Sequence, residues 1–105
     1  GNAAGETEQE LLAALDQARA SGRPVFLDFH ASWCKDCSAM DATVFNQPEV
    51  KEHLQKFMTI CYAAEQPNVA PAKPLLDHFN IVGLPAYLVL SPEPATTSKP
   101  PEKHL

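Results

Sequence analysis

The sequence Trp33-Cys34-Lys35-Asp36-Cys37 contains two of the three cysteines of this chain. Apolar residues then repeat at helical spacing as far as residue 45, so the pair should lie in the first turn of a helix. Two cysteines three positions apart there share one face and lie close enough to form a disulfide. The unpaired N–H groups and the dipole of a helix N-terminus favour a thiolate. We therefore expect Cys34 to be the exposed, attacking thiol and Cys37 the shielded, resolving thiol.

Two other interpretations of the cysteine pair are weaker. A four-ligand zinc site would need two more ligands, and Cys61 shows no metal-type spacing with any of the four histidines. A purely structural disulfide across two residues would close a very short loop and stabilise the fold little. We therefore expect a redox-active pair and predict no metal and no cofactor.

The residues on either side of the pair predict an α/β fold. The indicators are apolar periodicity, capping residues and runs of β-branched or aromatic residues. They indicate, in order, a helix over 7–21, a strand over 25–30, a helix over 33–45, a short helix capped by Asn46, a strand over 57–62, a loop over 67–74, a short helix ending at Asn80 and a strand over 86–90. A helical crossover joins the first two strands, which should therefore be parallel.

Two acidic residues flank the cysteine pair. Asp28 lies inside an apolar strand, where an unpaired carboxylate is costly, so we expect a raised pKa and a role as proton acceptor near the buried thiol. The alternative is a strand-end acid that faces solvent. Asp41 lies one turn beyond Cys37, where it either adds negative charge near the pair or is an ordinary solvated helix residue.

Pro85 and Cys61 have simpler interpretations. Proline cannot donate to a sheet ladder, so Pro85, just before the last strand, marks a sheet edge or a cis peptide bond that presents nearby main chain to a ligand. Cys61 lies in the middle of a predicted strand and is expected to be an inert core thiol.

Length, composition and charge exclude several classes of protein. A chain of 105 residues is the size of one domain, and none of its apolar runs approaches the roughly 20 residues of a membrane span. A net charge of −5 provides no basic surface for nucleic acid. Residues 1–6 contain no signal peptide and are expected to be disordered or left from cloning. Residues 7–90 should form the domain, and residues 91–105 a proline-rich tail.

Three features together resemble the thioredoxin superfamily. These are a strand that contains Asp28, the Trp-Cys-x-x-Cys sequence, and Gly83-Leu84-Pro85 about fifty residues later. Within the superfamily the chain is most similar to the C-terminal periplasmic domains of the thiol:disulfide interchange proteins. That similarity rests on residues 23–29, 45–50 and 75–85 and covers about residues 7–90.

The resemblance implies a thioredoxin-like α/β fold, with a central mixed sheet flanked by helices. It implies a cis Leu84–Pro85 bond, partner binding by Trp33, Leu84 and Pro85, and a catalytic environment that includes Asp28 and Asp41. It also implies a thiol–disulfide oxidoreductase in the periplasm, as part of an inner-membrane protein. Such a domain takes electrons from a membrane-embedded domain of the same protein and passes them to disulfide-bearing protein domains.

Two other functions remain open, and so does the end of the fold. The alternatives are a free-standing thioredoxin-like reductase or oxidase of extracytoplasmic proteins, and a redox-inactive binding module. The family continues with a last strand and a terminal helix, whereas the four prolines of residues 91–105 predict neither. We therefore expect an uncovered sheet edge, through loss of the native C-terminus, and association between copies of the chain.

Overall fold

The computed structural model describes residues 2–5 and 8–91. Its elements are strand β1 (Asn2–Gly5), helix α1 (Glu8–Ser21), strand β2 (Val25–His30), helix α2 (Lys35–Ala42), a 3-10 helix (Val44–Asn46), helix α3 (Pro48–Leu54), strand β3 (Met58–Ala63), helix α4 (Ala72–His78) and strand β4 (Ala86–Leu90). None of these helices is long and apolar enough to cross a membrane. Residues 92–105, which include most of the predicted tail, lie outside the described residues.

The four strands of the described residues form one mixed sheet in the order β1-β3-β2-β4. Strands β2 and β3 are parallel, as the crossover predicted, and β4 is antiparallel to β2. The expected mixed sheet flanked by helices is therefore confirmed.

The N-terminal residues differ from the prediction for residues 1–6. Residues 2–5 form strand β1, which pairs in parallel with β3 from Asn2 opposite Thr59 to Gly5 opposite Tyr62. The sequence Asn-Ala-Ala-Gly contains no apolar alternation, and strand pairing through main-chain hydrogen bonds does not require it. Sequence patterning could therefore not detect this edge strand.

The two faces of β2 have different roles. Val25, Leu27 and Phe29 are fully buried in the main core, together with side chains from α1 and α4. Phe26 points to the other face, where its ring contacts Phe45 in the 3-10 helix and stacks on Tyr87 of β4. Since side chains alternate along a strand, Asp28 and His30 share the face of Phe26.

The bounds of helices α2, α3 and α4 differ from those predicted. Helix α2 ends at Ala42 rather than continuing to residue 45, because Thr43 leaves helical geometry and its Oγ1 donates to the Ala39 carbonyl at 2.7 Å. The N-cap of α3 is Gln47, so the prediction of Asn46 as cap is wrong. Helix α4 begins at Ala72 and includes Pro74 in its first turn, where a missing N–H is tolerated.

A left-handed residue at the end of α4 directs the chain towards the cysteines. Asn80 has φ 59°, and its N–H donates to the Asp77 carbonyl at 3.1 Å. The Ile81 N–H donates to the Leu76 carbonyl at 2.9 Å, so the helix ends in a Schellman motif. The loop that follows contains Leu84 and Pro85.

Candidate active site

Cys34 and Cys37 form a disulfide at the N-terminus of α2, as predicted from their spacing. Their Cα atoms are 5.3 Å apart. Cys34 is the N-cap residue, and its Sγ accepts a hydrogen bond from the Cys37 N–H at 3.1 Å. A main-chain donor therefore already points at the sulfur that would bear negative charge after reduction.

The expected difference in exposure between the two cysteines is wrong for this oxidised form. Cys34 is 5% exposed and Cys37 is 6% exposed. Both pack with Ala31, and Leu84 from the loop after α4 packs against this cluster. That contact joins residues fifty positions apart in the chain, so local sequence patterning did not reveal it.

The loop after α4 also forms one wall of a pocket beside the disulfide. The Leu84–Pro85 peptide bond is cis, as the resemblance implied. Leu84 and the 56% exposed Trp33 both line a pocket of about 370 Å³, together with Lys73 and Asp77 of α4. The structure thus brings two of the three predicted partner-binding residues, Trp33 and Leu84, to one pocket. Pro85, the third, follows Leu84 directly in the chain.

Asp28 is half-buried on the sheet face that also bears Phe26. Burial is the largest influence on its pKa and raises it; His30 lowers the pKa, and Asp41 raises it. Asp28 lies opposite Cys61 of β3 and Tyr87 of β4 in the strand register, so these side chains share a face. Asp41 itself is exposed, and its charge affects the pKa of Asp28.

The same environment keeps the third cysteine unreactive. Cys61 is a free thiol, and burial, followed by the charges of Asp28 and Asp41, raises its pKa to about 11. The same three influences, in the same order, raise the pKa of Tyr87 to about 12. Since the thiolate is the reactive form, Cys61 stays protonated and does not compete with Cys34 near neutral pH.

Glu65, just after β3, is a contact that sequence analysis missed. Its carboxylate accepts hydrogen bonds from the Ser32 N–H at 2.7 Å and from the Ser32 hydroxyl, and its main-chain carbonyl accepts one from Trp33 Nε1 at 2.8 Å. The two hydrogen bonds from Ser32 lower the pKa of Glu65. These contacts span more than thirty residues, beyond the reach of local periodicity.

His30 is the second residue that was missed, and here a pattern was available. His30 lies two positions after Asp28 on the same strand, which places both side chains on one face.

Among the described residues, no cluster of three or more His, Cys, Asp or Glu could hold a metal ion.

Comparison with known proteins identifies this arrangement. A family model described as thioredoxin-like matches residues 6–92, and the chain belongs to the thioredoxin-like family. Its Cys-x-x-Cys pair is disulfide-linked at a helix N-terminus, an arrangement suited to thiol–disulfide exchange.

More particularly, the chain is similar to the thiol:disulfide interchange protein DsbD. It is 39% identical to DsbD of Pseudomonas fluorescens over 84 residues, which are 80% of this chain and 14% of that protein. It is 36% identical to DsbD 1 of Pseudomonas aeruginosa over 86 residues, which are 82% of this chain and 14% of that protein. The chain therefore spans only about one seventh of these relatives.

Solved structures agree with this similarity. The C-terminal domain of DsbD from Neisseria meningitidis in the oxidised form is 32% identical with a TM-score of 0.66, covering 82% of this chain and 75% of that chain. A thioredoxin from Thermus thermophilus is 26% identical with a TM-score of 0.64, covering 84% of this chain and 64% of that chain. The resemblance found in the sequence is thus confirmed.

Proposed function

We propose that this domain reduces disulfides in partner protein domains and is re-reduced by a membrane-embedded domain of the same polypeptide, in the bacterial periplasm. The observation that carries the proposal is the Cys34–Cys37 disulfide at the N-terminus of α2, in a chain that is 39% identical to part of a DsbD protein. Electron donor, acceptor and compartment are inferred from that likeness.

The proposed reaction is a two-step thiol–disulfide exchange. In the reduced domain the Cys34 thiolate attacks one sulfur of the partner disulfide, and the other partner sulfur leaves as a thiolate. Cys37 then loses its proton and attacks the Cys34 sulfur of this mixed disulfide. The Cys34–Cys37 disulfide forms, the second partner sulfur is released, and two electrons have passed to the partner.

Asp28 is proposed to accept the proton of Cys37 in the second step. A half-buried carboxyl with a raised pKa is a better proton acceptor than an ordinary aspartate and is less costly to protonate. Asp41 adds negative charge that raises the pKa of Asp28 further. The proposed role of Asp41 is therefore to raise the pKa of Asp28.

Trp33, Leu84 and Pro85 are proposed to contact the partner. The indole of Trp33 and the side chain of Leu84 line the pocket of about 370 Å³ beside the disulfide, which has room for a large side chain of the partner. The cis peptide bond joins Leu84, which lines this pocket, to Pro85.

The reduction potential of the Cys34–Cys37 pair tests the direction of electron flow. We expect a value closer to the roughly −270 mV of thioredoxin than to the roughly −120 mV of the strongest oxidants of this fold. The measurement is equilibration with glutathione or dithiothreitol buffers, followed by thiol quantification. A value near −120 mV would favour the alternative of an oxidase. Failure of the reduced, folded domain to reduce insulin would favour a redox-inactive binding module.

We also propose that the domain, assigned to residues 7–90 and extended by β1, associates through the edge of β4. Within the described residues β4 pairs only with β2, and Val89 on β4 is 57% exposed. We expect sedimentation at micromolar concentration to show a dimer that Val89→Lys weakens. Leu12→Lys, at an exposed position of α1, should leave association unchanged. A strictly monomeric wild-type chain would contradict this proposal.

A further inference from the structure

We propose that Glu65 is a positioning residue, which holds Ser32 and thereby sets the positions of Trp33 and Cys34. The effect on reaction rate rests on the proposed reductase function, whereas the effect on the mobility of Trp33 does not. Glu65 contacts neither sulfur in the hydrogen bonds described above, so its influence would pass through the segment between β2 and α2.

The main chain brings Glu65 to this segment. Strand β3 ends at Ala63, and the next residue, Ala64, donates its N–H to the His30 carbonyl at 2.7 Å, which extends the pairing with β2 by one step. Glu65 therefore lies beside the first residues after β2. Its three hydrogen bonds come from two consecutive residues, Ser32 and Trp33, which immediately precede Cys34.

The geometry of the carboxylate contact makes it a restraint on orientation. One oxygen accepts the Ser32 main-chain N–H and the other accepts the Ser32 hydroxyl, so the carboxylate engages Ser32 at two points. Such two-point, charge-assisted contacts resist rotation better than a single hydrogen bond. The lowered pKa of Glu65 agrees with an ionised acceptor at neutral pH.

Holding Ser32 affects both parts of the site. Cys34 follows two residues later, and its N–H donates to the Ala31 carbonyl at 3.2 Å to close the turn. Trp33, between them, forms a wall of the pocket beside the disulfide. A shift of Ser32 would therefore move the attacking sulfur and the partner-binding wall together.

The test compares Glu65→Ala, Glu65→Gln and wild type in the full chain. In Glu65→Gln the amide oxygen can accept from the Ser32 N–H and the amide N–H can donate to Ser32 Oγ, so the position is kept while the charge is lost. Trp33 Nε1 donates to the Glu65 main-chain carbonyl, a group that neither substitution removes. Asp16→Ala on α1 removes an exposed carboxylate elsewhere and is the matched control.

Two quantities are measured, and the first is the second-order rate constant for insulin reduction by the reduced protein. We expect it to fall about tenfold in Glu65→Ala, because small displacements of reacting groups are costly. It should stay within about twofold in Glu65→Gln and Asp16→Ala, since their main-chain geometry at the site is retained. The second quantity is the fluorescence anisotropy of Trp33, the single tryptophan of the chain. It should fall in Glu65→Ala only.

The outcomes separate this proposal from others. Wild-type anisotropy in Glu65→Ala would overturn it, and so would a Glu65→Gln variant as slow as Glu65→Ala, because charge and not position would then matter. If wild type reduces no disulfide, the proposed function fails, while the anisotropy of Trp33 still decides about Glu65. Should Glu65→Ala misfold, Ser32→Ala, which keeps the main-chain N–H, is expected to lower the rate by about threefold. An unchanged rate in this variant would contradict the proposal.

Discussion

Replacing Cys37 with serine is expected to yield a protein that accumulates mixed disulfides with its partners, because no second thiol remains to release them. Cys34→Ser should instead lower the rate of partner reduction by at least about a thousandfold, because the attacking thiolate is absent. Cys61→Ser should retain the wild-type rate, because the pKa of that thiol is raised to about 11 and it does not take part.

The measurement is non-reducing electrophoresis and mass spectrometry of each reduced variant after incubation with a disulfide-bearing partner domain. Trapping by Cys34→Ser but not by Cys37→Ser would show that the roles are reversed. The helix N-terminus would then not select the nucleophile. Capture of a domain of the same polypeptide, in an experiment with the longer protein, would favour a relay over a free-standing reductase.

Replacing Asp28 with asparagine is expected to stabilise the oxidised domain at neutral pH. The folded-state pKa of Asp28 is raised, so protonated Asp28 favours the fold below the ordinary pKa near 3.8, and this contribution is lost as the pH rises through the raised value. The variant should be about 1 kcal/mol more stable at pH 7. This is less than the cost of a fully buried charge because Asp28 keeps contact with water. At pH 3 the difference in stability should vanish.

Denaturant unfolding at both pH values checks this expectation, and Asp16→Asn is the matched control, since Asp16 is an exposed carboxylate of α1 and should change stability much less. In the reduced protein, Asp28→Asn should also shift the titration of the Cys34 and Cys37 thiols downward, because a nearby negative charge is removed. Both proteins carry Cys61→Ser in this measurement, because Asp28 also raises the pKa of the Cys61 thiol. If the thiol titration is unchanged, Asp28 is not coupled to the pair and is an ordinary half-solvated acid.

The parts of the fold that could be predicted are those with a local pattern. Helix α1 showed apolar periodicity, and strand β2 was a short apolar run of strand-forming residues. Cys34 and Cys37 were identified because two cysteines separated by two residues at a helix N-terminus have a chemical meaning of their own. Strand β1 was not predicted, because main-chain pairing at a sheet edge places little demand on side chains.

The parts of the site that were missed depend on distant contacts. Leu84 packs against the buried Cys34, and Glu65 accepts hydrogen bonds from Ser32. In each case the partner lies more than thirty residues away, and only the folded sheet brings the two together. A glutamate just after a strand has no sequence pattern that distinguishes it from a solvated charge.

The strand register also determines where a longer polypeptide would be attached to the domain. Asn2 pairs with Thr59 at the start of β3, and Leu90 pairs with Val25 at the start of β2, whereas the cysteines follow the far end of β2. Strand β1 therefore begins, and strand β4 ends, at the pole of the sheet opposite the disulfide. A linker attached at that pole would leave the end of the sheet that bears the disulfide accessible, in turn, to an electron donor and to an acceptor.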